Sequence, residues 1–319
     1  YLWRGMVEAN QKDFKSAEAD FQTAQKKAPN NAAAYLEMGE LRIVQGRVPE
    51  GKALLETALQ KDPNSIGALS MLVRYDFEAK QPEKALQRVQ AQLAKSPQNA
   101  NLYVELAAVQ LNMKDFNGAL ASSQKAMQMS PADAAATQTY TQAEIALGQV
   151  DPAIAVWEQW VKAHPSDPRA MTILGTLEEA KGDQSKAMDY YQKAMQADPN
   201  NVIAANNLAY LMADTGQNLD VAMTLAQTAR RGEPDSPQTA DTLAWIYYLK
   251  GNYLSARDLL EDAAKTSPDD ASIHYHLGMT YTKLNDKAGA EVQLKKAIAI
   301  GPAGSRAAKE ASAELTKLG

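Results

Sequence analysis

The sequence has no cysteine in 319 residues. That absence removes disulfides, thiolate zinc sites, covalently attached haem and thiol catalysis together. Histidine occurs three times, which leaves little imidazole for acid–base work or metal ligation. No stretch approaches the roughly 18 unbroken apolar residues of a membrane-spanning helix, so none is expected to cross a bilayer. An excess of positive charge is missing too. The 33 basic and 38 acidic residues give a net charge of −5, spread along the chain without a tail or patch. A general grip on phosphate backbones needs clustered Lys and Arg, so nucleic acid is not an expected partner. The first residue is Tyr1 rather than Met, with no charged-then-apolar leader behind it. A processed or trimmed chain, its targeting signal out of view, is therefore expected.

What is present is a repeat. Hydrophobic residues make up 45% of the chain, enough to bury a core. Prolines recur at Pro29, Pro63, Pro97, Pro131, Pro165, Pro199, Pro234, Pro268 and Pro302, every 34 residues with one step of 35. With each of these set as position 32 of a unit, other positions align. Position 20 is always small: Ala17, Gly51, Ala85, Ala119, Ala153, Ala187, Ala222, Ala256 and Ala290. Position 8 holds Gly5, Gly39, Gly175 and Gly278 among residues no larger than Val73 and Thr141. Position 7 is bulky from Met38 through Leu72, Leu174, Leu208 and Leu277. Small residues at 8, 20 and 27 let two helix backbones approach, while bulky ones at 7 and 24 fill the space beside them. Overpacking such a contact costs about 1–3 kcal/mol.

The remaining prolines mark helix boundaries. Pro168 and Pro237 fall at position 1, and Pro49, Pro82 and Pro152 at 17 to 19. These are first-turn or inter-helix places, where a missing N–H costs little. Gly46, Gly148, Gly182, Gly216 and Gly251 share position 15, where a left-handed residue would end the first helix. Each unit then reads as helix A, a short turn, helix B and a proline-marked turn, about three-quarters helix overall.

These residues resemble the tetratricopeptide repeat (TPR) family over essentially the whole chain. The resemblance implies an all-α fold: a right-handed superhelical solenoid of nine helix-turn-helix repeats plus a C-terminal capping helix. The repeats run 1–31 (partial), 32–65, 66–99, 100–133, 134–167, 168–201, 202–236, 237–270 and 271–304. The cap is 305–319, with Ala307, Ala311, Leu315 and Leu318 on one face and Arg306, Lys309, Glu310, Glu314 and Lys317 off it. On this reading the C-terminal end is finished and the N-terminal end is not. The seventh repeat carries one extra residue within 213–220, read as a longer turn. The fifth departs most, with Tyr140 at position 7, Thr141 at 8 and Trp160 at 27. Tyr140 and Trp160 mark either a local change of pitch or a hinge or docking patch.

Catalysis needs convergent polar groups, and the sequence offers few. No Gly-rich phosphate loop, G-x-S-x-G, H-E-x-x-H or EF-hand pattern occurs. His164 sits at a helix end, and His274 and His276 are two apart, whereas helical ligands want three or four. All three read as structural or solvated. The expectation is no enzyme, no cofactor and no metal.

The resemblance places helix-A positions 2, 5, 9, 12 and 13 on a concave groove where peptides or helices dock. No repeat has the Lys at 5 with Asn at 9 that marks the carboxylate-clamping chaperone-tail binders. The lining instead changes along the chain, from Ser70, Ala108, Gln142 and Thr176 to Asn206, Tyr210, Asp241, Trp245, Tyr248, Tyr275 and Met279. Aromatics with a polar handle are common interface anchors, and at helical spacing they are also common core. The expected function is a protein-interaction scaffold binding a peptide or protein segment in its groove. Two alternatives stand beside it: a structural subunit that self-associates through its surface and ends, and an accessory region of a longer enzyme. A glycan stays among the candidate ligands. Segments such as Asn218-Leu219-Asp220-Val221-Ala222 and His274-Tyr275-His276-Leu277-Gly278 resemble bacterial TPR proteins, including envelope and polysaccharide-export lipoproteins. With the missing cysteine, that leans the expected location toward the periplasm or the outside of the cell.

Overall fold

A computed structural model describes residues 1–302 and 304–318. Among the described residues it contains nineteen α-helices. They are α1 (Leu2–Asn10), α2 (Phe14–Lys27), α3 (Ala32–Val44), α4 (Val48–Lys61), α5 (Ile66–Glu78), α6 (Pro82–Lys95), α7 (Ala100–Asn112), α8 (Phe116–Met129), α9 (Ala134–Ala146) and α10 (Val150–Ala163). There follow α11 (Pro168–Lys181), α12 (Gln184–Ala197), α13 (Val202–Asp214), α14 (Leu219–Gly232), α15 (Pro237–Leu249), α16 (Tyr253–Thr266), α17 (Ala271–Lys283), α18 (Lys287–Ile300) and α19 (Arg306–Leu318). Two compact units divide them, Tyr1–Val156 and Trp157–Gly319. The division falls inside α10, in the pair of helices whose sequence departs most from the pattern.

The turns follow their residues. Pro82, Pro168 and Pro237 open α6, α11 and α15 in the first turn. Asp133, Asp167 and Asp270 cap α9, α11 and α17 by accepting two backbone N–H bonds each, which satisfies donors that a helix leaves orphaned. The position-15 residues are left-handed throughout. Gly46, Gly148, Gly182, Gly216 and Gly251 have φ between +68° and +91°, and Lys12, Lys80, Lys114 and Asn285 take the same conformation at 57° to 63°. The extra residue of the seventh unit lies between α13 and α14, where 215–218 replaces the usual three-residue turn.

Packing explains the small positions. Ala85, Ala119, Ala187, Ala222, Ala256 and Ala290 are wholly buried. A Cβ on Gly175 would come within 2.4 Å of the Tyr191 ring, and one on Gly278 within 2.7 Å of Leu294. Glycine at position 8 thus makes room for a large side chain at position 24 of the same pair. In the second unit the apolar core runs through Leu208, Leu211, Met212, Leu243 and Ile246 and continues to Ile273 and Leu277. The cap α19 closes it. Ala311 is buried against Tyr275, Leu294 and Ala297, with Ala307, Leu315 and Leu318 packed around it.

The first unit carries polar groups between its helices that spacing alone did not reveal. Asp76 on α5 is buried and accepts from Arg88 Nε on α6 at 2.8 Å, while Arg88 Nη1 reaches Glu56 at 2.6 Å. Arg42 makes two parallel bonds to Glu18 at 2.5 and 2.6 Å. Burial pushes the Asp76 carboxyl up, but Arg88 and Lys84 outweigh it and hold the group below its ordinary range.

Candidate functional site

The sequence-predicted groove residues of the second unit come from three A helices. Asn206 and Tyr210 lie on α13, Asp241, Trp245 and Tyr248 on α15, and Tyr275 and Met279 on α17. Trp245 is the centre of the aromatic group. Its ring stacks on Tyr248 at 4.7 Å and on His276 at 4.2 Å, and Tyr275 tilts against it at 6.2 Å. His276 is buried, and its Nδ1–H donates to Asp241 Oδ1 at 2.7 Å. A carboxylate acceptor at Nδ1 fixes that tautomer and the ring plane, so the Asp241–His276 pair holds the surface against which Trp245 lies.

The groove residues do not share one environment. Tyr248 and Tyr275 are buried and belong to the core, while Met279 is half-buried beside them. Tyr210 and Trp245 are half-buried and line a cavity of about 60 Å³, together with Asp214, Ser272, Tyr275, His276, Arg306, Ala307 and Glu310. Burial pushes the Tyr210 hydroxyl up to about 12, so it is a neutral donor at ordinary pH. Asn206 donates to Asn207 Oδ1 at 3.3 Å, and its own Oδ1 is buried without a hydrogen-bond partner. Nearby, Tyr191 ties α11, α12 and α13 together: its hydroxyl donates to Glu179 Oε2 at 3.0 Å and accepts from Asn207 Nδ2 at 3.1 Å.

Two residues that complete the cavity were not singled out from sequence as site residues. Arg306, at the start of α19, makes two bonds to Asp214 at the end of α13, at 2.7 and 2.5 Å, and its Nε donates to Glu310 at 2.8 Å. These partners lie 92 residues apart. The signal was nonetheless available, since Arg306 occupies position 2 and Asp214 position 13, both within the set assigned to the groove. The cavity is therefore bridged by an ion pair, and its volume admits about a pair of waters rather than a peptide side chain.

The first unit presents a different lining. Met6, Ala9, Phe14, Phe21, Glu37, Glu40, Leu41 and Val44 surround a cavity of about 290 Å³. Glu37 and Glu40 are half-buried, and burial raises both carboxyls. Further along, Ser70 donates to Glu105 at 2.7 Å, and burial outweighs that bond to raise Glu105 as well.

The fifth pair's unusual residues are locally engaged. Tyr140 is half-buried; burial first, then its bond to Glu144, pushes its hydroxyl up to about 12. Trp160 donates from Nε1 to Asp167 Oδ2 at 2.9 Å, with its ring against Trp157 at 5.7 Å and His164 at 4.6 Å. Trp160 thereby braces the turn from α10 into α11, whose N-cap is Asp167. His274 is also buried, between Gln293 Oε1 at 2.7 Å and the Pro268 carbonyl at 2.9 Å. Among the described residues, no group of three or more His, Asp or Glu side chains could hold a metal ion, and no helix is long and apolar enough to cross a membrane.

Comparison with known proteins agrees with this architecture. A tetratricopeptide repeat profile matches residues 9–74, 113–176 and 247–315, and a second profile of the same description matches 168–201. The chain belongs to the tetratricopeptide repeat family. The TPR repeat-containing protein PA4667 of Pseudomonas aeruginosa is 33% identical over 79 residues, which are 25% of this chain and 13% of that protein. Among solved structures, the APC/C hetero-tetramer Cut9-Hcn1 matches 97% of this chain and 59% of its own at a TM-score of 0.64 and 18% identity. A tetratricopeptide repeat protein from Parabacteroides merdae matches 80% of this chain and 98% of its own, at 0.58 and 20%. At such identities the likeness is one of fold: an all-α TPR solenoid, an architecture of protein-interaction scaffolds in general.

Proposed function

We propose that this TPR chain is a non-enzymatic scaffold that holds a peptide or protein segment of a partner on the A-helix surface of its second unit. The observation that carries the reading is the convergence of Tyr210, Trp245 and Asp214 from two helices on one cavity, which His276, held by Asp241, also lines. Rigid aromatics beside a placed carboxylate are what interface anchors require. The test uses the whole chain as bait for partner capture, with Tyr210→Ala and Asp214→Ala combined in one variant. Loss of capture with unchanged helicity is expected; retained capture overturns the placement.

A second reading, end-on assembly with another helix pair, has its own observation. Trp3 is 79% and Val7 53% exposed on α1, whereas Leu41, Val109, Leu211 and Ile246, which hold Val7's place in later pairs, are buried. In those pairs a preceding helix covers the position. Assembly through α1 predicts that mass by light scattering rises with concentration and that Trp3→Glu abolishes the rise. A constant monomer mass removes this reading.

A further inference from the structure

Arg306 and Asp214 meet on unequal terms. The Asp214 side chain is 11% exposed and built into the end of α13, while Arg306 is 57% exposed and approaches from the solvent side. The acceptor is set into the fold, and the cation reaches it from solvent. The two bonds to Asp214 run in parallel, and the third donor is taken by Glu310. Such a fork matches the planar guanidinium and not a lysine ammonium. Tyr210, Trp245 and Tyr275 wall the same cavity and suit the apolar stem of an arginine. Arg306 is the one Lys or Arg among the described residues lining it, so without it the cavity keeps the Asp214 and Glu310 carboxyls and no Lys or Arg. The space left beside Arg306 is about 60 Å³, so an incoming side chain must replace it rather than sit next to it. Replacement does not require α19 to leave, because Ala311, Leu315 and Leu318 hold that helix on Tyr275, Leu294 and Ala297.

We propose that this cavity is a receptor for an arginine side chain of a partner segment, and that Arg306 is its internal stand-in. The inference rests on the docking surface proposed above and adds the chemistry of what docks there. In this arrangement Arg306 sets a threshold: a lone surface cation does not displace it, whereas a segment that also contacts Tyr210 and Trp245 does.

The experiment removes the stand-in and supplies its chemistry in trans. Full-length Arg306→Ala is titrated with N-acetyl-arginine amide, with N-acetyl-lysine amide alongside, and binding is read by calorimetry and by the unfolding midpoint. The arginine probe is expected to bind Arg306→Ala about tenfold more tightly than it binds either the wild type or the double variant Arg306→Ala/Asp214→Asn, and to outbind the lysine probe. Equal response of the single and double variants, or no preference for arginine over lysine, overturns the proposal. If Arg306→Ala loses its circular dichroism signature, Arg306→Gln takes its place under the same criteria. A probe that fails while capture still depends on Tyr210 sinks the receptor alone. A probe that binds while capture ignores Tyr210 sinks the docking surface alone.

Discussion

In the first unit, α3 and α7 carry the half-buried carboxyls of Glu37, Glu40 and Glu105, all raised by burial. In the second, α13, α15 and α17 carry Tyr210, Trp245 and Tyr275, with the Arg306–Asp214 ion pair beside them. The interiors are alike in kind: each holds a buried carboxylate between its helices, Asp76 with Arg88 in the first unit and Glu178 with Lys186 in the second, beside an apolar core. Both units keep the same small residues at the helix crossing, because the backbone approach depends on them and on little else. The positions around that crossing are free to vary, so one scaffold presents two kinds of surface.

Removing a buried partner in the first unit should have the largest effect. Arg88→Ala leaves the almost fully buried Asp76 carboxylate with only Lys84, at 3.0 Å. Stranding a buried charge costs about 3 kcal/mol or more, so denaturant unfolding should show a large loss of stability in the first unit. Replacing both Asp76 and Arg88 by Leu and Met should recover most of it. In the second unit, Trp245→Ala strips the stack on Tyr248 and His276, at a cost of about 2–3 kcal/mol for a partly exposed indole. Near-ultraviolet circular dichroism should flatten while helicity persists.

The smallest effect concerns pH. Glu105 has a folded-state value above the ordinary 4.5. Its contribution to stability is therefore fully present below about pH 4.5 and is lost as the pH rises through the raised value. Asp76 runs the other way: with a lowered value, its contribution is present above the ordinary 3.8 and lost as the pH falls through the folded-state value. Glu105→Gln should then raise the unfolding midpoint at pH 7 and match the wild type near pH 4. A midpoint lowered at pH 7 would show that the Ser70 bond to the ionised carboxylate outweighs its desolvation.

Most of the fold was legible because its rules are periodic. The proline ladder, the small residues at 8 and 20 and the glycines at 15 each act within a single helix pair, so their spacing is written directly in the chain. Lys12, Lys80 and Lys114 in the left-handed conformation were not legible, since lysine carries no signal for it. The buried charges of the first unit were missed for a related reason: Asp76 or Arg88 on a helix reads as solvated face until its partner is placed. The site was half legible. Tyr210 and Trp245 could be assigned to the groove by position, and their convergence is seen in the structure. That Tyr275 is core depends on α19 lying over it, and that Tyr248 is core depends on Trp245 and Tyr253 beside it. The Arg306–Asp214 bond depends on the small rotation added at each helix pair, which accumulates over 92 residues and is not encoded at any one of them.

Cross-linking mass spectrometry on the whole chain with a captured partner tests the second-unit docking surface most directly. Cross-links from the partner are expected to residues beside α13, α15, α17 and the start of α19, weakened in Asp214→Asn and unchanged in Glu105→Gln. Cross-links confined to α3, α5 and α7, unchanged by Asp214→Asn, would contradict this placement and move the docking surface to the carboxyl-lined first unit.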